Sequence, residues 1–354
     1  ILEQLNLKVP TTWDELYTVL KAMKTAHPNV YPFSDRWNKP TPGGNLLNIL
    51  AASYGVSSGW NYQHASWDAS AKKFVYTGSS APYKAMLQYL NKLMTEGLID
   101  PESFTQTDDA ARQKLANGKS FVISSNAQSL VSDYRPDLAK TIPGAKITKI
   151  PLPIGPAGEI NPASRLENGV MISKKARDSK NFVAIMQFID WLWYSDAGQQ
   201  FAKWGIEGTT FVKDAAGKIS LAPDVNVVGL HPQASKHLQK DFGFYNGVFA
   251  YGGKPELVQG FFSPEEQEFQ KVMNARKPIA IPPPYPFTDE EREQVTLWET
   301  PLKDYVQQMS LKFILGQRPM SEWDAYVNEL KAKNMTQYMD TVNKAYDRYK
   351  KANG

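Results

Sequence analysis

Residues 9–16 read Val9-Pro-Thr-Thr-Trp-Asp-Glu-Leu16, and the helix they open sets the reading of the rest of the chain. Pro10 and the two threonines mark a helix start. Thr11 or Thr12 supplies the cap, and Asp14 and Glu15 fall in the first turn, where the helix dipole favours acid. Trp13, Leu16, Tyr17, Leu20 and Met23 then recur at the spacing of one apolar face, so this helix is expected to lie on a core. His27-Pro28, Pro32, Pro40, Pro42 and Gly43-Gly44 make residues 27–45 a loop.

Working outward, the pattern predicts a helix over Gly44–Tyr54 and a loop over Gly55–Asp68, then a short strand at Lys73–Tyr76. A helix over Ala81–Glu96 is stopped by Gly97, and a short one covers Asp109–Ala116. Lys119–Ser124 and Gly169–Ser173 read as buried strands, Ser125–Ser129 as the loop leaving the first of them, and Ile147–Leu152 as extended. Helices follow from Ser179 to Tyr194 and from Asp196 to Trp204, broken at Gly205–Gly208. Lys213–Phe287 is rich in Gly and Pro, with one helix at Pro264–Met273. The end is helical over Asp289–Leu315, Ser321–Lys333 and Thr336–Lys351, with a capping-box pattern at Ser321-Glu-Trp-Asp324. Strands alternating with helices, and helices gathered at the carboxyl end, argue for an α/β chain of more than one lobe.

Composition narrows the function. The 354 residues carry 40 Lys and Arg against 36 Asp and Glu, a balance of +4 with no basic run, so nucleic acid is not an expected partner. Cysteine is absent, which removes disulfides, thiolate metal sites and cysteine nucleophiles together. No stretch reaches the ~20 apolar residues of a membrane span. The four histidines, His27, His64, His231 and His237, have no helical zinc spacing, and there is no phosphate-binding loop, dinucleotide fingerprint or nucleophile elbow. Asp and Glu are plentiful, so a glycosidase pair is not excluded by counting, although Asp108-Asp109 and Glu265-Glu266 read as helix starts. Aromatic residues make up 12% of the chain; they serve either a core of large side chains or a sugar site, where flat rings stack on pyranose faces.

Five segments in order resemble the bacterial extracellular solute-binding proteins of family 1, in the branch that binds oligosaccharides. They are Val9–Leu16, Tyr89-Leu-Asn-Lys-Leu-Met-Thr-Glu-Gly-Leu-Ile-Asp-Pro-Glu102, Asn117-Gly-Lys-Ser-Phe-Val-Ile123, Phe188–Phe201 with Trp204-Gly-Ile-Glu-Gly208, and Phe313-Ile-Leu-Gly-Gln-Arg-Pro-Met-Ser-Glu-Trp-Asp324. The resemblance implies an α/β, periplasmic-binding-protein-like type II two-lobed fold with a helical C-terminal region. It implies no catalysis, no cofactor, and a place outside the cytoplasm as a membrane-anchored lipoprotein. The implied partners are an oligosaccharide and the permease subunits of an ABC importer. The family's Pro-Thr-Trp segment follows the first crossing into the second lobe. The resemblance therefore implies that one lobe is incomplete and that an N-terminal segment of the same protein is a further partner. The expected parts are 1–164 for the second lobe, 165–260 for the returning part of the first, and 261–354 for the helical region. Some relatives carry a calcium loop after the first helix. Here Ala26-His-Pro-Asn-Val-Tyr-Pro-Phe33 lacks the acidic ligands, so no metal is expected there.

The two-lobed fold implies a ligand cleft lined by loops of both lobes. Trp60, Tyr62 and Trp67 lie in a loop before a strand and either stack on sugar or pack the loop. Ser124, Ser125, Asn126 and Gln128 leave an expected strand as ligand donors or turn residues. Trp204 and Glu207 stand where a helix breaks, which the resemblance places near the cleft. Arg165 and Asn168 precede an expected strand, and an Arg there could pair a uronate carboxylate in bidentate fashion. Tyr245 and Tyr251, with Asn246 and Phe249, form a glycine-rich aromatic loop able to act as a platform. Two other readings stay open: a glycoside hydrolase or lyase acting on the same polymers, and a receptor for peptides or osmolytes.

Overall fold

A computed structural model describes residues 1–37, 41–162, 169–227, 231, 233–245, 253–254 and 256–353. The chain divides into two compact units. The first holds Ile1–Ser124, Ile150–Pro162 and Arg276–Gly354, and the second holds Ser125–Lys149 and Ala163–Ala275. Residues 125–149 and 261–275 therefore pack with the second unit, where the sequence groups them with its neighbours along the chain.

Unit one begins with helix α1, Trp13–Ala26. Its cap is Thr12, whose hydroxyl accepts from the Glu15 N–H, while the Glu15 carboxylate accepts from the Thr12 N–H, so two otherwise orphaned donors are satisfied. Of the expected face, Trp13, Leu16, Leu20 and Met23 are buried and Tyr17 is half-buried, while Val19, which the spacing did not include, is buried with them. Helix α2 runs Gly44–Ser53. Strands β1, Ala65–Asp68, and β2, Lys73–Tyr76, form an antiparallel hairpin with Trp67 opposite Phe74. Helix α3 is Ala81–Thr95, closed by Gly97 at φ 65°, and α4 is Asp108–Ala116.

Three C-terminal helices, Asp289–Ile314, Trp323–Ala332 and Met335–Asn353, complete the core of this unit. Tyr83 shares a hydrogen bond with Ser310 at 2.9 Å, and Tyr326 donates to the Gly78 carbonyl at 3.0 Å. These bonds satisfy buried hydroxyls that desolvation would otherwise penalise. The first of the three helices is capped by Thr288 with Glu291, a capping box the sequence reading missed. The expected box at Ser321 is not made: Ser321 sits in a 3-10 turn, Met320–Glu322, and Glu322 precedes the helix without a side-chain cap.

Unit two is built around the helices Phe182–Tyr194, Asp196–Trp204 and Pro264–Ala275, with a small core of Trp204, Phe211, Val225, Val227, Leu238 and Phe261. Two expected strands are not strands. Lys119–Ser124 contributes only a single bridge, Val122 to Phe33. Gly169–Ser173 is irregular, with Met171 97% exposed. A short apolar run says that a segment seeks burial, not which backbone it adopts. The expected loop at Ser125–Ser129 instead opens a helical run that continues to Thr141.

Helix Phe182–Tyr194 has an unusual surface. Its sequence is apolar nearly all round, yet only Leu192 is buried, while Val183, Phe188, Trp191 and Tyr194 are exposed. A helix of that composition ordinarily lies inside a core.

Candidate ligand-binding site

In unit one, a polar network lies under an aromatic corner. Ser34, Asp35 and Arg36 follow the bridge residue Phe33 and are all buried. The Asp35 carboxylate accepts from the Ser124 N–H at 3.1 Å, from the Ser124 hydroxyl and from Asn45 Nδ2 at 3.3 Å. Asn45 also donates to Ser124 Oγ. Behind it, Ser34 donates to Asp100, the Asp35 N–H donates to Ser103 Oγ, and Gln106 donates to the Asp35 carbonyl. Lys114 closes the network on Asp100 at 2.5 Å. Burial pushes the Asp35 carboxyl above its ordinary range, and the Ser124 hydrogen bonds oppose that push.

Above this network stand Trp37 and Trp60, with ring centroids 6.4 Å apart at 61°. The Arg36 guanidinium lies 3.3 Å from the centre of the Trp37 ring, a cation–π contact. Trp37 is half-buried and Trp60 exposed. Two glycines place Trp60. A Cβ on Gly59 would stand 2.0 Å from the Gly44 carbonyl oxygen, and one on Gly44 would stand 3.2 Å from the Trp60 ring. Only bare backbone lets the Gly59–Asn61 turn settle on the first turn of α2.

The expected site residues fall into different settings. Trp60 is exposed at the corner, and Ser124 is tied to Asp35 beneath it. Tyr62 is buried beside Tyr83, with their rings 6.3 Å apart. Trp67 lies on β1 rather than in a loop, against Phe74 and Tyr346. In unit two, Ser125, Asn126 and Gln128 are exposed, and Asn126 caps the short helix Ala127–Ser129 by accepting from the Ser129 N–H. Trp204 is buried, stacked on Phe261 at 3.8 Å and donating to the Leu257 carbonyl. Glu207 is exposed and pairs with Lys213 at 3.0 Å. Tyr245 is half-buried at φ 54°, its ring edge-on to Phe261. Arg165, Asn168 and Tyr251 lie outside the described residues, as do Asn246 and Phe249. Sequence reasoning missed Trp37. Its signal was an aromatic directly after a basic residue at the start of the Pro and Gly run that precedes α2.

In the loop that follows α1, a side-chain cation holds the backbone. Lys24 Nζ donates to the Val30 carbonyl at 3.0 Å and lies 5.0 Å from the centre of the Tyr31 ring. Among the described residues, no group of three or more His, Asp or Glu side chains could hold a metal ion. No helix of the described residues is long and apolar enough to cross a membrane.

Comparison with known proteins fits this architecture. The sequence profile described as bacterial extracellular solute-binding protein matches residues 1–200, more than half of the chain, and the chain belongs to that family. Membership implies a location outside the cytoplasm. The chain is 23% identical to the fructooligosaccharide ABC transporter substrate-binding protein FusA of Streptococcus pneumoniae, over 98% of its own length and 64% of FusA. It is 26% identical to the polygalacturonan/rhamnogalacturonan-binding protein YtcQ of Bacillus subtilis, over 60% of its own length and 42% of YtcQ. It thus spans less than two thirds of the length of either. Among solved structures, the alginate-binding protein AlgQ2 without calcium ion aligns at a TM-score of 0.67 and 24% identity, over 98% of this chain and 70% of that one. An HMO-binding, ABC-transporter-associated solute-binding protein from Bifidobacterium longum infantis aligns at 0.59 and 20%, over 98% and 72%. At these identities the likeness is one of fold: the helix-rich α/β fold of the two-lobed periplasmic binding proteins.

Proposed function

We propose that this protein captures an oligosaccharide outside the cytoplasm and delivers it to the permease subunits of an ABC importer, without chemical change. The observation that carries the reading is membership of the solute-binding family, together with relatives named for binding oligosaccharides and polysaccharides. The aromatic corner supports it. Exposed Trp60 beside Trp37, next to a buried polar network, suits the apolar face of a sugar ring.

Within this reading, Trp60 is the stacking candidate of unit one, and Ser125, Asn126, Gln128 and Glu207 are exposed polar candidates of unit two, each taken within its own unit. Tyr62, Trp67 and Trp204 hold the surrounding backbone. Arg165, Asn168, Tyr245 and Tyr251 belong to the same proposal, with Arg165 as the group that would take a uronate. Unit one is assigned to the second lobe and unit two to the returning part of the first.

A lipoprotein anchor is part of the proposal, as is a further segment of the same protein packed on unit two. Support for that segment comes from the greater length of the relatives and from the exposed apolar face of Phe182–Tyr194. The competing reading is a hydrolase or lyase on the same polymers.

A thermal-shift screen with fructooligosaccharides, alginate oligosaccharides and oligogalacturonates tests the function. At least one class should raise the melting temperature in a concentration-dependent way. Stabilisation by none of them, or by peptides alone, overturns the carbohydrate reading.

A further inference from the structure

Trp37 adopts a conformation that a tryptophan rarely takes. Its φ is 59°, the left-handed region, where a Cβ crowds the following carbonyl and which bulky residues seldom enter. Glycine would adopt this backbone freely. Three contacts hold Trp37 there. Its N–H donates to Asp108 Oδ1 at 2.6 Å, its carbonyl accepts from the Asn45 N–H at 3.3 Å, and the Arg36 guanidinium backs its ring. The contacts come from the starts of two helices, α4 and α2, and from the adjacent residue in the chain. Strain held by independent surroundings is a mark of a working position.

What the strain secures is the placement of a ring. Trp37 meets Trp60 at 61°, so the two indoles form two walls of a corner rather than a flat stack. A corner of two flat apolar walls suits a ring with an apolar face and an apolar edge, as a sugar has. We infer that Trp37 is a second sugar-stacking residue beside Trp60, kept at a backbone position that glycine would fill more easily because its indole touches the ligand. This rests on the carbohydrate reading above and adds to it a residue and a geometry.

The test exploits the backbone. Kestose and trigalacturonate are titrated by calorimetry into wild type, W37G and W60A, each also melted without ligand. Wild type must bind one of the two. If it binds neither, the carbohydrate reading fails for both sugar types and this inference falls with it. Given wild-type binding, W37G should weaken affinity about tenfold or more, the loss typical of an aromatic anchor, while its melting temperature stays near wild type or rises. W60A should weaken binding similarly. Unchanged affinity in W37G overturns the inference and leaves the carbohydrate reading standing. Should W37G fail to fold, W37L decides: leucine keeps apolar bulk without a flat face, so a tenfold loss supports the inference and wild-type affinity overturns it.

Discussion

The N–H of Trp37 donates to the carboxylate of Asp108 across 2.6 Å, so the first residue of α4 pins the loop that carries the aromatic corner. Asp108 also stands in the first turn of its helix, where the dipole favours its charge. Asp108→Ala should therefore cost about 1 kcal/mol of stability, a charge-assisted hydrogen bond discounted for exposure. It should weaken ligand binding as well, although Asp108 itself need not touch sugar. Asp108→Asn keeps an acceptor oxygen and should fall between. Urea unfolding and ligand titration of both variants check this. Weakened binding with unchanged stability would mean that Asp108 contacts the ligand directly.

His64 makes unit one sensitive to acid. Burial, with a smaller contribution from Lys303, holds its imidazole down to about 4. The unfolded chain takes up a proton near pH 6.5 and the folded one near 4, so stability falls as pH drops through that window. The ring lies against Tyr62 and Tyr338 and shares a hydrogen bond with Tyr76. His64→Phe keeps an aromatic ring and removes the proton. Its urea midpoint should vary less between pH 6.5 and 4 than that of wild type. An equal pH dependence in both proteins would assign the effect to other groups.

Trp204 is the centre of the small core of unit two. Its ring stacks on Phe261, and a Cβ on Gly260 would stand 3.0 Å from it. Trp204→Ala should cost roughly 3–5 kcal/mol, the range for deleting a buried aromatic. Trp204→Phe should cost less. Hydrogen exchange read residue by residue should show the loss in the 196–275 region and spare α1 and α3. Equal loss in both units would mean that they unfold as one.

Lys24 ties down the 27–33 loop through the Val30 carbonyl. Lys24→Met keeps the aliphatic stem and removes the donor, and should cost about 1 kcal/mol. Chelators should leave the melting temperature of wild type unchanged, because the loop offers no acidic ligands. A drop on adding EDTA that calcium restores would show a metal site elsewhere in the protein.

These outcomes follow how legibility was distributed along the chain. Helix α1 was plain because its apolar residues recur on one face and threonines precede it, although the sequence left Thr11 and Thr12 as alternatives and gave Glu15 a dipole role where the structure has a capping box with Thr12. Trp60 was recognisable as an aromatic in a glycine-flanked loop. Tyr62 and Trp67 looked the same, but their rings turn inward, and nothing local distinguishes them. Tyr62 is buried against Tyr83 of α3 and Trp67 half-buried against Tyr346 of the last helix, partners distant in sequence. Trp204 was read from the helix break beside it, while its burial depends on Phe261, some 57 residues on. The strained backbone of Trp37 was not legible, because a positive φ at a tryptophan has no sequence signature. The irregular 119–124 and 169–173 segments looked like strands because a short apolar run carries no period long enough to choose.

The central claim is capture without chemistry, and one measurement addresses it most directly. The full chain is mixed with an oligosaccharide that stabilises it, the complex is isolated by rapid gel filtration, and the sugar is released by denaturation and weighed by mass spectrometry. The account predicts about one intact oligosaccharide per protein, with no shortened or unsaturated product after prolonged incubation. Shortened or unsaturated sugar accumulating in proportion to enzyme concentration and time would contradict it and make this protein an enzyme.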